Sequence, residues 1–544
     1  MTEGLLGGSA RIFKIPSNAE LNLPEDRPLY RTKRFPEWKL CLKVGDHPSG
    51  GYILFRGKNC PECTTPSIQH PERLDHHDPD PIRFIIACPK GHMDDVDWYA
   101  VVHGENGGCT NDRYFIWQGT GSLRSIYLKC PRCRRQRNLG EAYDNDYECT
   151  GRYPEREEIN GTPNRPRNCR CAAKIIQRQA SNLRIPELKI LFTVPPRYTK
   201  LHALLQLPPI YVLIRALMGS IGSKEELAGY LHRLVEGGLI SKATESEIIS
   251  HEWEEIARSI DDVMGPVPKS YEELLRDEFH ALIRGSIDGI PPIMCPRPGS
   301  PPLIEIDPHR VKRVVGYNGH TLRIVPVLHL HSIMVQTGYM RDVGGVEPEP
   351  VDIGIPDPVN QGKKWYPGIE LFGEGIFILL DENDGWHFEL EGSSTLRWRE
   401  AFNSGGRDKP ELHPVFVWWH TLSHLLIRSV SLDAGYSSAS IRERVYLEFE
   451  GERVRGGIIL YATQPGSDGA LGGLIALVPY FERILGRALE SSMTCSCDPL
   501  CWETKFSRER YNGAACYGCL LLSETSCEHR NMWLDRNVLN ENMP

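Results

Sequence analysis

The spacing of apolar residues changes character along this chain. Between about Leu40 and Pro196 they come in short runs, YILF, RFIIAC, YFIWQ and RSIYLKC, separated by Gly, Pro and Asn. Short apolar or alternating runs between turn residues predict β-strands. The polar, Pro-rich residues ahead of them read as an arm or a peripheral strand. From about Lys200 to Gly289 the pattern turns helical. Ser223 with Glu226, Thr244 with Glu247 and Ser270 with Glu273 each have capping-box spacing. There the hydroxyl accepts one free backbone N–H while the Glu reaches back for another. Gly237-Gly238 supplies a stop. A Pro-rich linker, IPPIMCPRPGSPP, follows. Within 303–410, LHLHSIMVQTGYMR reads as a helix and GEGIFILL as a strand. Beyond it come an apolar helix in HPVFVWWHTLSHLLIRSVSL, strands in RERVYLEF and GGIILYAT, a second helix and a cysteine cluster.

These divisions predict a multidomain α+β protein. A Cys-rich, zinc-ribbon-like, β-containing region spans 1–199 and a helical acidic segment 200–290. A mixed α/β connector covers 291–410, and a mixed α/β zinc-binding domain covers 411–544.

Composition narrows the function classes. With 544 residues, 40% hydrophobic and 25% charged, the chain can bury several cores without covalent staples. A net charge of −8 excludes a generally basic nucleic-acid coat but not a local basic groove. The leading MTEGLLGGSARIFK has no long apolar core of a signal peptide. The most apolar stretch, LHALLQLPPIYVLIRALMG, is broken by Pro208, Pro209 and Arg215, so no membrane span is expected. The expected location is the cytoplasm, where thiols stay reduced and clustered cysteines point to metal rather than disulfides.

Seventeen cysteines are present. Three Cys-x2-Cys pairs stand out: Cys60–Cys63, Cys130–Cys133 and Cys516–Cys519. A tight turn at that spacing lets two thiolates face one zinc ion at about 2.3 Å. Cys88 and His92 stand four apart and complete a Cys3His set with Cys60 and Cys63. Cys130 and Cys133 are expected to join Cys149 and Cys169, with Cys171 as rival and Cys109 unassigned. Cys516, Cys519 and Cys527 need a fourth ligand from Cys495, Cys497 or Cys501, of which Cys501 is favoured. Four protein ligands leave no open position, so each Zn2+ would be structural.

Arg124, Lys129, Arg132, Arg134, Arg135 and Arg137 surround the second pair without an intervening acid, a composition suited to phosphate contact. There is no G-x4-G-K-[ST] loop, hence no nucleotide hydrolysis is expected. LDHHDPDP could serve a metal-dependent nuclease or phosphoesterase through His76, His77, Asp78 and Asp80, but it sits in a polar, Pro-rich loop. His420 and His424 share one helix face. Thr421 stands where a zincin carries its Glu, so they read as satisfied core histidines.

The ordered strings HTLSHLLIRSVSLDAGYSSASIRERVY, GIILYATQPGSDGALGGL, CSCDPLC and ACYGCLLLSETSCEHRNMWLDR resemble the MrfA-like zinc-binding domain of the DrmB family, from DISARM antiphage systems. RFIIACPKGHMDDVDWYAVVH, QRQASNLRIPELKILFTVPP and WYPGIELFGEGIFILL resemble the rest of that family. The resemblance implies a non-catalytic accessory subunit working beside a DrmA-like helicase on DNA, in a heteromeric complex. It carries the metal role onto Cys516, Cys519 and Cys527. Cys497 departs from the family, which favours Ser there. A hydrolase and a DNA-independent scaffold are the alternatives.

Overall fold

The computed structural model describes residues 6, 10–30, 32–63, 80–104, 108–110, 113–193, 200–205, 207–217, 221–264, 270–290, 303–316, 319–344, 348–357, 362–381, 389–405, 409–451, 453–465, 472–507 and 510–544. The fold is α+β. Two compact units emerge. One holds 15–189 and 336–356; the other holds 1–14, 190–335 and 357–544.

The first unit contains two small antiparallel sheets. One orders its strands Asp80–Pro81, Trp38–Cys41, Tyr52–Arg56, Tyr114–Gln118, Tyr127–Lys129, Gln136–Asn138. The other runs Asp146–Glu148, Ala172–Gln177, Phe84–Ala87, Met93–Asp94. The predicted runs YILF, RFIIAC, YFIWQ and RSIYLKC all supply strands here. Trp38, Leu54, Phe84, Trp98, Phe115, Trp117 and Leu128 bury together as the main core. Beside it Arg152, almost fully buried, reaches Asp94 at 2.6 Å and Glu157 at 2.8 Å.

The second unit is built on a path that takes 190–192 of the strand Ile185–Phe192 and 321–335 of Thr321–Met340, then Lys364–Leu380, Arg453–Pro465 and Arg442–Glu450, the last four pairing antiparallel. Its central strands read as near-continuous apolar runs because both faces are covered. Ile376, Ile378, Ile458 and Leu460 face a core with Trp418, Leu422 and Leu426 of the helix Pro414–Ala434 and with Ile484 of Phe481–Ser492. Phe377, Leu379, Ile459 and Tyr461 face the other way, onto Phe279 and Leu282 of the helix Tyr271–Asp288. The arm expected at the N-terminus is a short strand, Ala10–Phe13, parallel to Lys364–Pro367. Helices between Lys200 and Met264 gather Leu201, Ile210, Ile214, Leu227, Leu231, Ile248 and Ile256 into a core of their own.

Two local readings need correction. LHLHSIMVQTGYMR is not helical; all of it but the final Arg341 lies within the strand Thr321–Met340, registered against Lys364–Leu380 from Leu322↔Leu380 to Val335↔Gly368. Thr244 does not cap. Ser241 does, accepting from the Thr244 N–H, because it offers a hydroxyl one turn earlier. Ser270 and Glu273 form the full reciprocal box. Ser223 accepts from the Glu226 N–H, while the Glu226 carboxylate reaches the N–H of Gly222. Among the described residues no helix is long and apolar enough to cross a membrane.

Candidate metal centres

Four groups of thiol and imidazole side chains converge so that their ligand atoms lie within 4.8 Å of one another. Their fit to a metal rests on donor chemistry and spacing. A tetrahedral zinc site places its donors roughly 3.3–3.8 Å apart.

The first group is Cys41, His47, Cys60 and Cys63. Cys41 closes the strand Trp38–Cys41, and Cys60 and Cys63 follow its neighbour Tyr52–Arg56. The His47 Nε2 lies 3.4 Å from both Cys60 and Cys63 Sγ, and Cys41 Sγ lies 3.7 Å from Cys63 Sγ. His47 Nδ1 sits 2.8 Å from the Gly51 carbonyl, a contact that sets the tautomer with Nε2 free for an ion. Burial and neighbouring thiols push the Cys63 thiol up to about 12, a mutual repulsion that a cation relieves.

The second group is Cys88, His92, Cys149 and Cys169. Sheet register assembles it. Glu148 pairs with Ala172 and Lys174 with Ala87, so Cys149, Cys169 and Cys88 all lie just beyond strand ends on one edge. Cys88 Sγ is 3.3 Å from His92 Nδ1. A hydrogen bond from the Cys149 thiol, opposed by burial, holds the Cys88 thiol down at about 5. Sharing a proton in this way favours a thiolate within the pair, the state a metal needs.

The third group is His103, Cys109, Cys130 and Cys133. His103 ends the helix Trp98–His103, its Nδ1 3.2 Å from the Tyr99 carbonyl and its Nε2 3.3 Å from Cys133 Sγ. Cys109 Sγ is 3.8 Å from Cys130 Sγ. In the knuckle the Cys133 N–H points at Cys130 Sγ (3.5 Å) and the Arg134 N–H donates to the Cys130 carbonyl (3.1 Å).

The fourth group is Cys495, Cys501, Cys516 and Cys519. Sulfur separations are 3.4 Å for Cys495–Cys516, 3.7 Å for Cys501–Cys519 and 3.8 Å for Cys516–Cys519. Burial would raise the Cys516 thiol, but hydrogen bonding from Cys495 and the Gly518 N–H lowers it to about 6. A Cβ at Gly518 would stand 2.9 Å from Ser496 Oγ and 3.2 Å from Cys495 Sγ, so any side chain here would press on the neighbouring knuckle.

Eleven of the twelve residues expected as metal ligands fall into these four groups, all but Cys527, and the groupings differ from the expected ones. Cys60 and Cys63 do not meet Cys88 and His92. Cys149 and Cys169 do not meet Cys130 and Cys133; they complete the set begun by Cys88 and His92. Cys527 stands apart from Cys501, Cys516 and Cys519, and Cys495 takes its place. Cys527 gathers instead with His420, His424 and Glu443. Cys171 and the exposed Cys497 belong to none of these groups. Cys41, His47 and His103 are ligand candidates that sequence reasoning does not single out. The Cys-x5-His of CLKVGDH ahead of Cys60 is the available signal for the first two.

Of the basic residues, Arg124, Arg132, Arg134 and Arg135 are exposed and Lys129 and Arg137 half-buried. Part of this set braces the third group. Arg135 donates to the His103 carbonyl at 3.1 Å, Arg132 to the Thr110 hydroxyl, and Arg137 pairs with Glu141 at 3.3 Å. Asp80 is exposed in a two-residue strand, while His76, His77 and Asp78 lie outside the described residues. His420 and His424 are fully buried.

Residues 422–520 match the MrfA Zn-binding domain, and residues 8–185 match a domain of unknown function, DUF8724. DISARM protein DrmB of Bacillus paralicheniformis is 28% identical over 574 residues, covering 97% of this chain and 90% of that protein. The crystal structure of the DUF1998 helicase MrfA bound to DNA shares 12% identity over 40% of this chain and 22% of that one, with a TM-score of 0.20. At that score it carries no argument about this fold.

Proposed function

From a chain similar to DISARM protein DrmB along nearly its whole length and bearing an MrfA Zn-binding domain, we propose a zinc-bearing, non-catalytic subunit of antiphage defence. In this reading it partners a DrmA-type helicase in the cytoplasm and supports that motor's grip on DNA. The observation that carries the reading is the full-length similarity joined to thiol groups of zinc-site spacing.

The residues at each group have separate roles. Bound Zn2+ would supply a rigid tetrahedral cross-link and folding free energy on the order of 10 kcal/mol per site. Cys41, Cys60 and Cys63 tie two neighbouring strands and the loop beyond them. Cys88, Cys149 and Cys169 tie three strand ends. The Cys130–Cys133 knuckle holds Arg132, Arg134 and Arg135 on a fixed, exposed turn, where guanidinium forks can take phosphate oxygens. The non-catalytic assignment is supported by the closed ligand sets and by the burial of His420 and His424, which leaves a substrate no approach to them.

The test is co-expression with the helicase subunit. The two chains are expected to elute as one complex, with ATP hydrolysis depending on the helicase and none from this chain alone. Separate elution at micromolar concentration, or ATP hydrolysis by the isolated chain, would overturn the proposal.

A further inference from the structure

We propose that His420, His424, Glu443 and Cys527 form a fifth metal centre, interior to the second unit, that takes a divalent transition ion of the zinc class.

The four donors come from three separate elements. His420 and His424 sit one turn apart on the helix Pro414–Ala434, Glu443 is the second residue of the strand Arg442–Glu450, and Cys527 lies in the C-terminal loop. Their ligand atoms lie within 4.8 Å of one another. His420 Nε2 is 3.2 Å from Cys527 Sγ and 3.1 Å from Glu443 Oε1, and His424 Nε2 is 3.9 Å from the same oxygen. These separations come within roughly 0.2 Å of the edges of a tetrahedron around an ion bonded at roughly 2.0–2.3 Å.

Burial makes these four groups costly to hold together without a cation. His420, His424 and Glu443 are 0% exposed and Cys527 5%. A carboxylate at that depth needs a positive partner or a full set of donors. Yet Glu443 Oε1 and His424 Nε2 have no hydrogen-bond partner among the described residues. An ion among the four donors answers each of these deficits at once.

The surroundings orient the donors as an outer shell does around a metal. His424 Nδ1 lies 2.9 Å from the Leu520 carbonyl, which turns Nε2 inward. Ser423 Oγ donates to Glu443 Oε2 at 2.5 Å, leaving Oε1 facing the cluster. The Asn531 N–H donates to Cys527 Sγ at 3.3 Å and fixes the thiol's position. With four protein donors the centre is closed and structural. It pins the long helix to the sheet and to the loop carrying Cys519, whatever partner the chain has.

Crystals of the full-length protein, measured at the zinc absorption edge, provide the test. Anomalous peaks are expected at the four thiolate-rich groups and at this cluster; peaks at the four with none here would overturn the inference. In parallel, non-denaturing mass spectrometry should show His424→Gln with one ion fewer than wild type and Cys171→Ser with the full wild-type count. A folded His424→Gln chain with the wild-type ion count would also overturn it. Should that variant not fold, the wild-type anomalous map decides alone.

Discussion

Arg444 shows what single residues contribute to the second unit. It is 1% exposed, donates to Glu278 at 2.7 Å and to Glu528 at 2.9 Å, and caps the Ile190 carbonyl at 2.7 Å. Glu278 is equally buried and accepts further from the Phe192 N–H and the Tyr446 hydroxyl. Removing one partner of a buried pair strands the other charge, so Arg444→Ala should cost about 3–5 kcal/mol. The paired change Arg444→Met with Glu278→Gln should cost less than Arg444→Ala alone, read by denaturant titration. In the first unit, Arg152 foremost, then Lys33 and the Asn164 N–H, hold the Glu157 carboxyl at about 2, against burial. A carboxylate whose pKa falls on folding stabilises above its unfolded pKa and loses that contribution as pH drops through the folded value. Glu157→Gln should therefore destabilise by about 1–3 kcal/mol at pH 7. The gap to wild type should narrow as pH falls from about 4.5 toward 2. A gap constant across this range would contradict the assignment. Residue identity is legible in the sequence here as far as chemistry goes: every expected thiol reaches a metal-type group. Glu443 is not legible, since a lone Glu near the start of a strand carries no spacing signal.

At the scale of elements, strand ends decide which ligands meet. Cys-x2-Cys pairs are local and readable. The partners of each pair depend on sheet order, which places Cys149 and Cys169 beside Cys88 through the pairing of Ala172–Gln177 with Phe84–Ala87. Nothing in the linear spacing contains that register. The helix expected over LHLHSIMVQTGYMR fails for a different reason. Its Leu-His-Leu-His alternation is a period-two signal, masked by a strand of unusual length whose register shifts between Val327 and Leu330. The groupings give a direct prediction. Cys109→Ser and Cys495→Ser should each lower the metal content by one ion per chain, while Cys171→Ser and Cys497→Ser should leave it unchanged. A missing ion in Cys171→Ser, with Cys169→Ser retaining the full complement, would restore the rival ligand.

For the whole molecule, the two compact units are stitched from discontinuous stretches. Composition shifts mark where the chain changes character, but not that 336–356 returns to the unit begun at Ile15. Net acidity with a clustered basic turn implies that any DNA contact is local. Replacing Arg132, Arg134 and Arg135 by Gln should weaken DNA binding by the helicase complex. The salt dependence of that binding should flatten, its slope falling by roughly one for each phosphate the turn no longer neutralises. An unchanged slope would remove that turn from the interface. If thiolate groups fold this chain around zinc, elemental analysis of the reduced protein during stepwise release with a mercurial reagent should show it. At least four zinc ions per chain are expected, one for each thiolate-rich group, with cooperative unfolding as they leave. A metal-free chain that keeps its cooperative fold, its cysteines open to alkylation or joined as disulfides, would contradict it.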